Sequence, residues 1–432
     1  MRRWFDVKRW KTWLTAAFLS VSLGTAPVGM VCAASAVETL LYGTAAIALV
    51  KKQLTNMDNT KQKQMLADTK AKTGVVENEA YNERLEMIQR NIVNTGMIKR
   101  NYDVYANPSK ELNAFETIGG VISVNQGMLD ALSDDELAFT LCHEMQHGEN
   151  RHAVNGILKG IGIATLVDIA MGGNAELMDV LLGGVAVNYI DNEVVTMDQE
   201  KEADAEGFAV LKNTSYNIGG APASMQFVYE TYGELYQEGF KRIVSPNNHP
   251  QMSSRIQKLS ERMTLWSGNH VQVGGDMVYV NGLAVVAPAA SGSYSTRRRA
   301  FLVAGNLARV THAVYGEAQK KDTVLKEPAE AMPEKKPLAG HDGTIPDLSR
   351  PADADLWQVR SDGTDISVNG LRIMTCAAGD DGEAIIKNMQ TALYSKPVMV
   401  SEKQIKKLNT EWIQKHGYKE KKKDQSETKK TV

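Results

Sequence analysis

His143, Glu144 and His147 stand in the order His-Glu-Met-Gln-His. Helical positions four apart share a face, so both imidazoles can reach one metal ion while Glu144 sits beside it. Two imidazoles suit zinc, and a glutamate next to an open coordination position suits a general base for hydrolysis. A catalytic zinc takes a third protein ligand and leaves a place for water. The metzincin pattern would put that ligand six residues after His147, but Ala153 stands there, His152 is one short, and Asn150 replaces the expected glycine. His152 is left as a surface residue or an outer partner of a ligand.

The other standard third ligand is a glutamate from a second helix, and the run from Thr196 to Asn213 offers Glu200, Glu202 and Glu206. At about 100° per residue, Glu200, Asp204, Gly207 and Leu211 fall on one side and Glu202 and Glu206 on the other. Glu200 is therefore the expected ligand. Asp204, one turn on, is placed to accept the outer N–H of a zinc-bound histidine, and Gly207 lets two helices approach closely.

Both motifs must ride on helices, and the start signals agree. Ser133 with Glu136 and Thr196 with Gln199 are capping-box pairs, and Gly148 after His147 reads as a helix-ending glycine. Residues 37 to 97 are helical in pattern, with Leu85, Ile88 and Ile92 on one face. Short β-rich pieces at 102–106, 113–117 and 121–124 follow, and 133–263 is almost wholly helical. Cys142 reads as a small core residue. The apolar stretches 157–171 and 177–190 are too short to span a bilayer and read as core or lid helices.

In order along the chain, Asn113, Ala114 and Phe115 with Gly119 and Gly120, the His-Glu-x-x-His motif, Glu200, Ala203, Asp204 and Gly207, and then His249, Pro250 and Arg255 resemble the HtpX-like and BepA-like metallopeptidases related to the CAAX prenyl proteases. The resemblance covers about Tyr81 to Met263. It implies that Asn113, Ala114 and Phe115 lie on a strand beside the cleft, where an extended substrate adds to the sheet edge. It implies one of two roles for His249: binding the developing oxyanion, or occupying the open zinc position and holding the enzyme latent. Arg255 would support either through charge-assisted hydrogen bonds. It also implies unfolded or misassembled envelope proteins as substrates.

The chain has 432 residues, 49 Lys plus Arg against 51 Asp plus Glu, and three cysteines without CxxC spacing. The charge balance argues against a nucleic-acid binder, and the cysteines exclude both a disulfide scaffold and a cysteine zinc site. Residues 1–36 read as a signal peptide: Arg2, Arg3, Lys8, Arg9 and Lys11, an apolar run from Leu14 to Leu23, then small residues. That places the mature chain outside the cytoplasm, periplasmic, in the cell envelope or secreted, with no spanning helix after signal removal. The metallopeptidase domain is expected over 37–270. Val278 to Val286 recurs weakly as Ile366 to Met374, each copy with Asn-Gly between apolar alternations and a helical pattern behind it. Hairpin-helix units are expected over 271–316 and 361–414, with a linker over 317–360 and a basic tail over 415–432.

The expected fold class is α+β: a helix-rich gluzincin domain with a small antiparallel sheet edge, then two hairpin-helix units joined by a flexible linker. The expected function is a zinc endopeptidase with one zinc per chain held by His143, His147 and Glu200. Zinc lowers the pKa of water from 15.7 to about 7, and Glu144 takes its proton and passes it to the leaving amine. The alternative is a latent or non-proteolytic quality-control factor with a plugged zinc site, whose C-terminal units recruit an envelope assembly partner.

Overall fold

The computed structural model describes residues 36–160, 182–184, 195–234, 252–319 and 356–417. His249, the signal segment, most of the two apolar stretches, nearly all of the linker and the basic tail beyond 417 lie outside the described residues. Three helices come first: α1 (Ala36–Thr60), α2 (Gln62–Thr73) and α3 (Glu79–Val93). Asn78 caps α3, and Leu85, Ile88 and Ile92 form its buried stripe. Strands β1 (Asp103–Asn107), β2 (Ala114–Thr117) and β3 (Val121–Asn125) make a sheet in the order β1-β3-β2. The edge strand β2 is antiparallel to β3, while β1 runs parallel to it, so the sheet is mixed. Every residue of β3 is buried. Ile122 and Val124 face the main core, and Val121 faces a second core formed with Val50, Leu54 and Met57 of α1.

Helix α4 (Gln126–Ala131) leads into α5 (Asp134–Glu149), α6 (His152–Gly160), α7 (Met197–Leu211), α8 (Gly220–Tyr232) and α9 (Met252–Trp266). Both expected capping boxes are formed, Ser133 with Glu136 and Thr196 with Gln199. Gly148 does not end its helix. It lies inside α5, where a Cβ would come within 2.5 Å of the Tyr102 hydroxyl, so the glycine serves a side-chain contact instead. The chain leaves the helix through Asn150 and Arg151, the latter at φ 54°.

Beyond α9, each copy of the repeat holds three strands where two were expected: β4 (Val271–Gly274), β5 (Met277–Val280) and β6 (Leu283–Val286), then β7 (Val359–Ser361), β8 (Asp365–Val368) and β9 (Leu371–Thr375). Both are antiparallel meanders. Asn281 and Gly282 have φ of 49° and 79°, and Asn369 and Gly370 have 52° and 81°, the positive pair that a type I′ hairpin turn requires. Helix α10 (Thr296–Tyr315) follows the first meander, and α11 (Gly382–Leu393) and α12 (Glu402–His416) follow the second. The helices cross over: α10 packs on β4 and β5 but also on β9, while α11 packs on β6 as well as β7.

A boundary at 270 falls inside one hydrophobic core, because α10 is also packed against α8 and α9. At that crossing a Cβ on Gly305 would lie 2.3 Å from the Gly219 amide nitrogen. Arg298, wholly buried, donates from Nε and Nη2 to Glu136 at 2.5 and 2.7 Å and from Nη2 to the Ala131 carbonyl at 2.8 Å. Its guanidinium lies between the rings of Phe227 and Tyr294. Among the described residues no helix is long and apolar enough to cross a membrane.

Candidate metal centre

Helix α5 carries His143, Glu144 and His147 into the interior, and all three are buried. Helix α7 lies against it. Glu200, Asp204, Gly207 and Leu211 form its buried face, while Glu202 is exposed. Gly207 is what brings the two helices together: a Cβ there would meet the His143 Cα and backbone nitrogen at 3.1 Å. The phase of α7 then delivers Glu200 to the two histidines.

Nε2 of His143 and Nε2 of His147 are 3.1 Å apart, and they lie 3.6 and 3.5 Å from the two oxygens of Glu200. Zinc bonded at about 2.0–2.1 Å in tetrahedral geometry holds its ligand atoms roughly 3.3 Å from one another. The three side chains therefore fit such an ion. Among the described residues Glu200 Oε1 has no hydrogen-bond donor although it is buried, and a cation would satisfy it. These residues form a group able to hold a metal.

The surroundings fix this arrangement. Asp204 Oδ1 is 3.0 Å from His143 Nδ1, close but off hydrogen-bond alignment. Arg255, from α9, grips Asp204 with Nε and Nη2 at 2.8 and 2.7 Å and brings Nη1 within 3.0 Å of Glu200. Arg255 thus holds the two acids in place, while its expected support of His249 involves a residue outside the described ones. Burial lowers the His143 pKa, but Asp204 and Glu200 outweigh it and carry it up to about 10. Burial and the neighbouring His143 push His147 down to about 3. Burial raises Glu200 and Asp204, yet Arg255 reverses this and both stay ionised well below the usual carboxylate range.

Glu144 sits on the same helix with its pKa raised by burial to about 7, and the backbone amide of Glu116 reaches its carboxylate. A base poised near neutrality is suited to taking a proton and returning it. Glu116 belongs to β2, so the edge strand carrying Ala114 and Phe115, with Asn113 just before it, runs directly beside the base. Cys142 is buried, and its thiol is pushed up by desolvation, in keeping with a core role.

His152 is buried, and its Nδ1 lies 3.0 Å from His147 Nδ1, the place of an outer partner of a ligand and not of a surface residue. One contact was not read from the sequence. Arg298 braces the first turn of the motif helix from α10. Its signal was the arginine run 297–299 at a helix start, where acidic residues are favoured; basic side chains there need partners elsewhere.

A helix-borne His-Glu-x-x-His pair completed by a glutamate from a second helix is the architecture of a metallopeptidase domain. Residues 79–263, a little under half of the chain, match peptidase family M48. Metalloprotease LoiP of Escherichia coli (strain K12) is 29% identical over 167 residues, 38% of this chain and 63% of the relative. Metalloprotease YcaL of the same organism is 26% identical over 187 residues, 42% of this chain and 70% of the relative. A putative beta-barrel assembly-enhancing protease of Vibrio cholerae is 24% identical over 204 residues, 44% of this chain and 40% of the relative. The chain thus spans less than two thirds of the length of LoiP.

Proposed function

We propose that this chain is an exported zinc-dependent endopeptidase, with His143, His147 and Glu200 as metal ligands and Glu144 as general base. The mutual spacing of the three ligand atoms, 3.1, 3.5 and 3.6 Å, beside a base with pKa near 7 carries this reading. Bound there, zinc supplies a Lewis acid that polarises a carbonyl and acidifies water. Glu144 takes a proton from the attacking water and delivers it to the leaving amine as the peptide bond breaks. Arg255 and Asp204 keep Glu200 and His143 oriented throughout. Asn113, Ala114 and Phe115 offer the edge along which an extended substrate pairs, so an unfolded segment enters more readily than a folded one.

The substrates we infer are unfolded or misassembled envelope proteins, in line with the name of the Vibrio cholerae relative and with the charged and apolar pattern of residues 1–36. The meander-helix region beyond 270 is assigned to bracing the peptidase and to meeting an envelope assembly partner. The test is cleavage of a reduced, unfolded protein by the zinc-loaded chain beside Glu144→Gln. Cleavage that disappears in the variant, with zinc retained, is the expected result. Zinc binding without turnover in the wild-type chain supports the latent factor instead, and His249→Ala is then assayed for release of activity.

A further inference from the structure

His147 has two ring nitrogens with different duties. Nε2 faces His143 and Glu200, leaving Nδ1 as the one atom by which the protein can set its tautomer and ring angle. The chain turns back after α5 through Arg151, in the left-handed region, and brings His152 onto that atom. The two Nδ1 atoms are 3.0 Å apart and the rings meet edge to face. His152 Nε2 lies 3.3 Å from Oε2 of Glu202, whose side chain is half exposed.

We propose that His152 and Glu202 are positioning residues that hold His147 in its metal-ligating tautomer, an inference that rests on the zinc reading above. Two Nδ1 atoms in contact share one proton between them. With the proton on His147, its Nε2 keeps a lone pair for the metal, and His152 takes the Nε2–H form and donates to the Glu202 carboxylate. With the proton on His152 instead, His147 carries N–H at Nε2 and cannot ligate, and the bare Nε2 of His152 faces an anion. The carboxylate at the far end therefore selects the productive direction of both hydrogen bonds. His143 is supported differently, by Asp204 clamped to Arg255, so the two ligand histidines have independent outer supports.

The experiment is zinc affinity, measured by competition with a chromogenic chelator at fixed pH, for the full chain and for His152→Ala, His152→Asn and Glu202→Gln. Outer partners of ligating histidines are worth about 10–100-fold in metal affinity. His152→Ala is expected to lose that much. In His152→Asn the amide oxygen stands where Nδ1 stood and still accepts from His147, so affinity should return to within about threefold of the full chain. Glu202→Gln, half exposed and harmless to folding, should lose a few-fold. A long-range proton–nitrogen spectrum of the zinc-loaded chain should show His147 as the Nδ1–H tautomer. Unfolding of the metal-free variants separates folding defects from metal defects. His152→Ala binding zinc within twofold of the full chain, or His152→Asn binding as weakly as a folded His152→Ala, overturns the proposal. If His152→Ala does not fold, unchanged affinity in Glu202→Gln together with a His152→Asn loss beyond tenfold overturns it. A wild-type chain that binds no zinc overturns the metallopeptidase reading and this one with it.

Discussion

Replacing Arg298 with methionine removes a wholly buried guanidinium and leaves the carboxylate of Glu136, itself without exposure, with no cationic partner and only its capping-box donors from Ser133, at the first turn of the helix that carries His143 and His147. Breaking a buried pair by removing one partner costs about 3–5 kcal/mol. The donor to the Ala131 carbonyl is also lost, at about 1 kcal/mol. Methionine recovers part of the packing between Phe227 and Tyr294, whose cation–π contacts are worth about 1 kcal/mol each. These losses come to about 6–8 kcal/mol before the packing that methionine restores, so the net loss is at least about 4 kcal/mol, a large share of the roughly 5–15 kcal/mol that holds a domain together. Urea unfolding followed by tryptophan fluorescence should show it as a fall in midpoint. Glu136→Gln alone should also destabilise, but Arg298→Met with Glu136→Gln should lose less than the two singles added, by about 2 kcal/mol. A single-variant loss below about 1 kcal/mol, or strict additivity in the double, would refute the view that this pair locks α10 to the motif helix.

Glu200→Gln should bring zinc content well below one per chain while leaving the fold intact; metal retained at wild-type level removes Glu200 from the site. Gly305→Ala drives a Cβ into the Gly219 backbone, so it should cost about 3 kcal/mol and be read in the same unfolding assay; an unchanged midpoint would mean the α8–α10 crossing has slack. His270 is buried, donates from Nδ1 to Asn281 Oδ1 at 2.6 Å, stacks on Tyr315, and has no partner at Nε2 among the described residues. Burial holds its pKa below 6.5, so the unfolded chain takes the proton first: the contribution is intact above pH 6.5 and shrinks as pH falls below it. Stability should therefore drop between pH 7.5 and 5.5, and His270→Gln should drop less; equal slopes for both chains would count against this account.

The parts of the site that were legible in the sequence are local. The capping boxes depend on residues three apart, and the helix phase that singles out Glu200 and Asp204 depends only on counting along one element. What stayed hidden depends on partners distant in sequence. Gly148 looked like a helix stop because nothing in the sequence shows Tyr102 arriving at its α-carbon. That Arg255 meets two acids on α7 has no signal in its own stretch of sequence. Glu136 was read as a cap, and its second task, meeting Arg298, is visible only once α10 is in place. The first strands of the two meanders, Val271–Gly274 and Val359–Ser361, escaped notice because the Asn-Gly signal marks only the turn between the second and third strands. Likewise the parallel pairing of β1 with β3 has no sequence signal of its own.

The crossing of α10 onto β9 and of α11 onto β6 gives the last third of the chain a reciprocal character. Each helix packs on its own meander and also reaches the other, so each meander shares its helix with its counterpart. The two copies are thus fused into one unit, in which each half's core is completed in part by the other's helix. A single copy released from the chain would expose the sheet face that its partner's helix covers, and its route back to a filled interior would be association with a second copy.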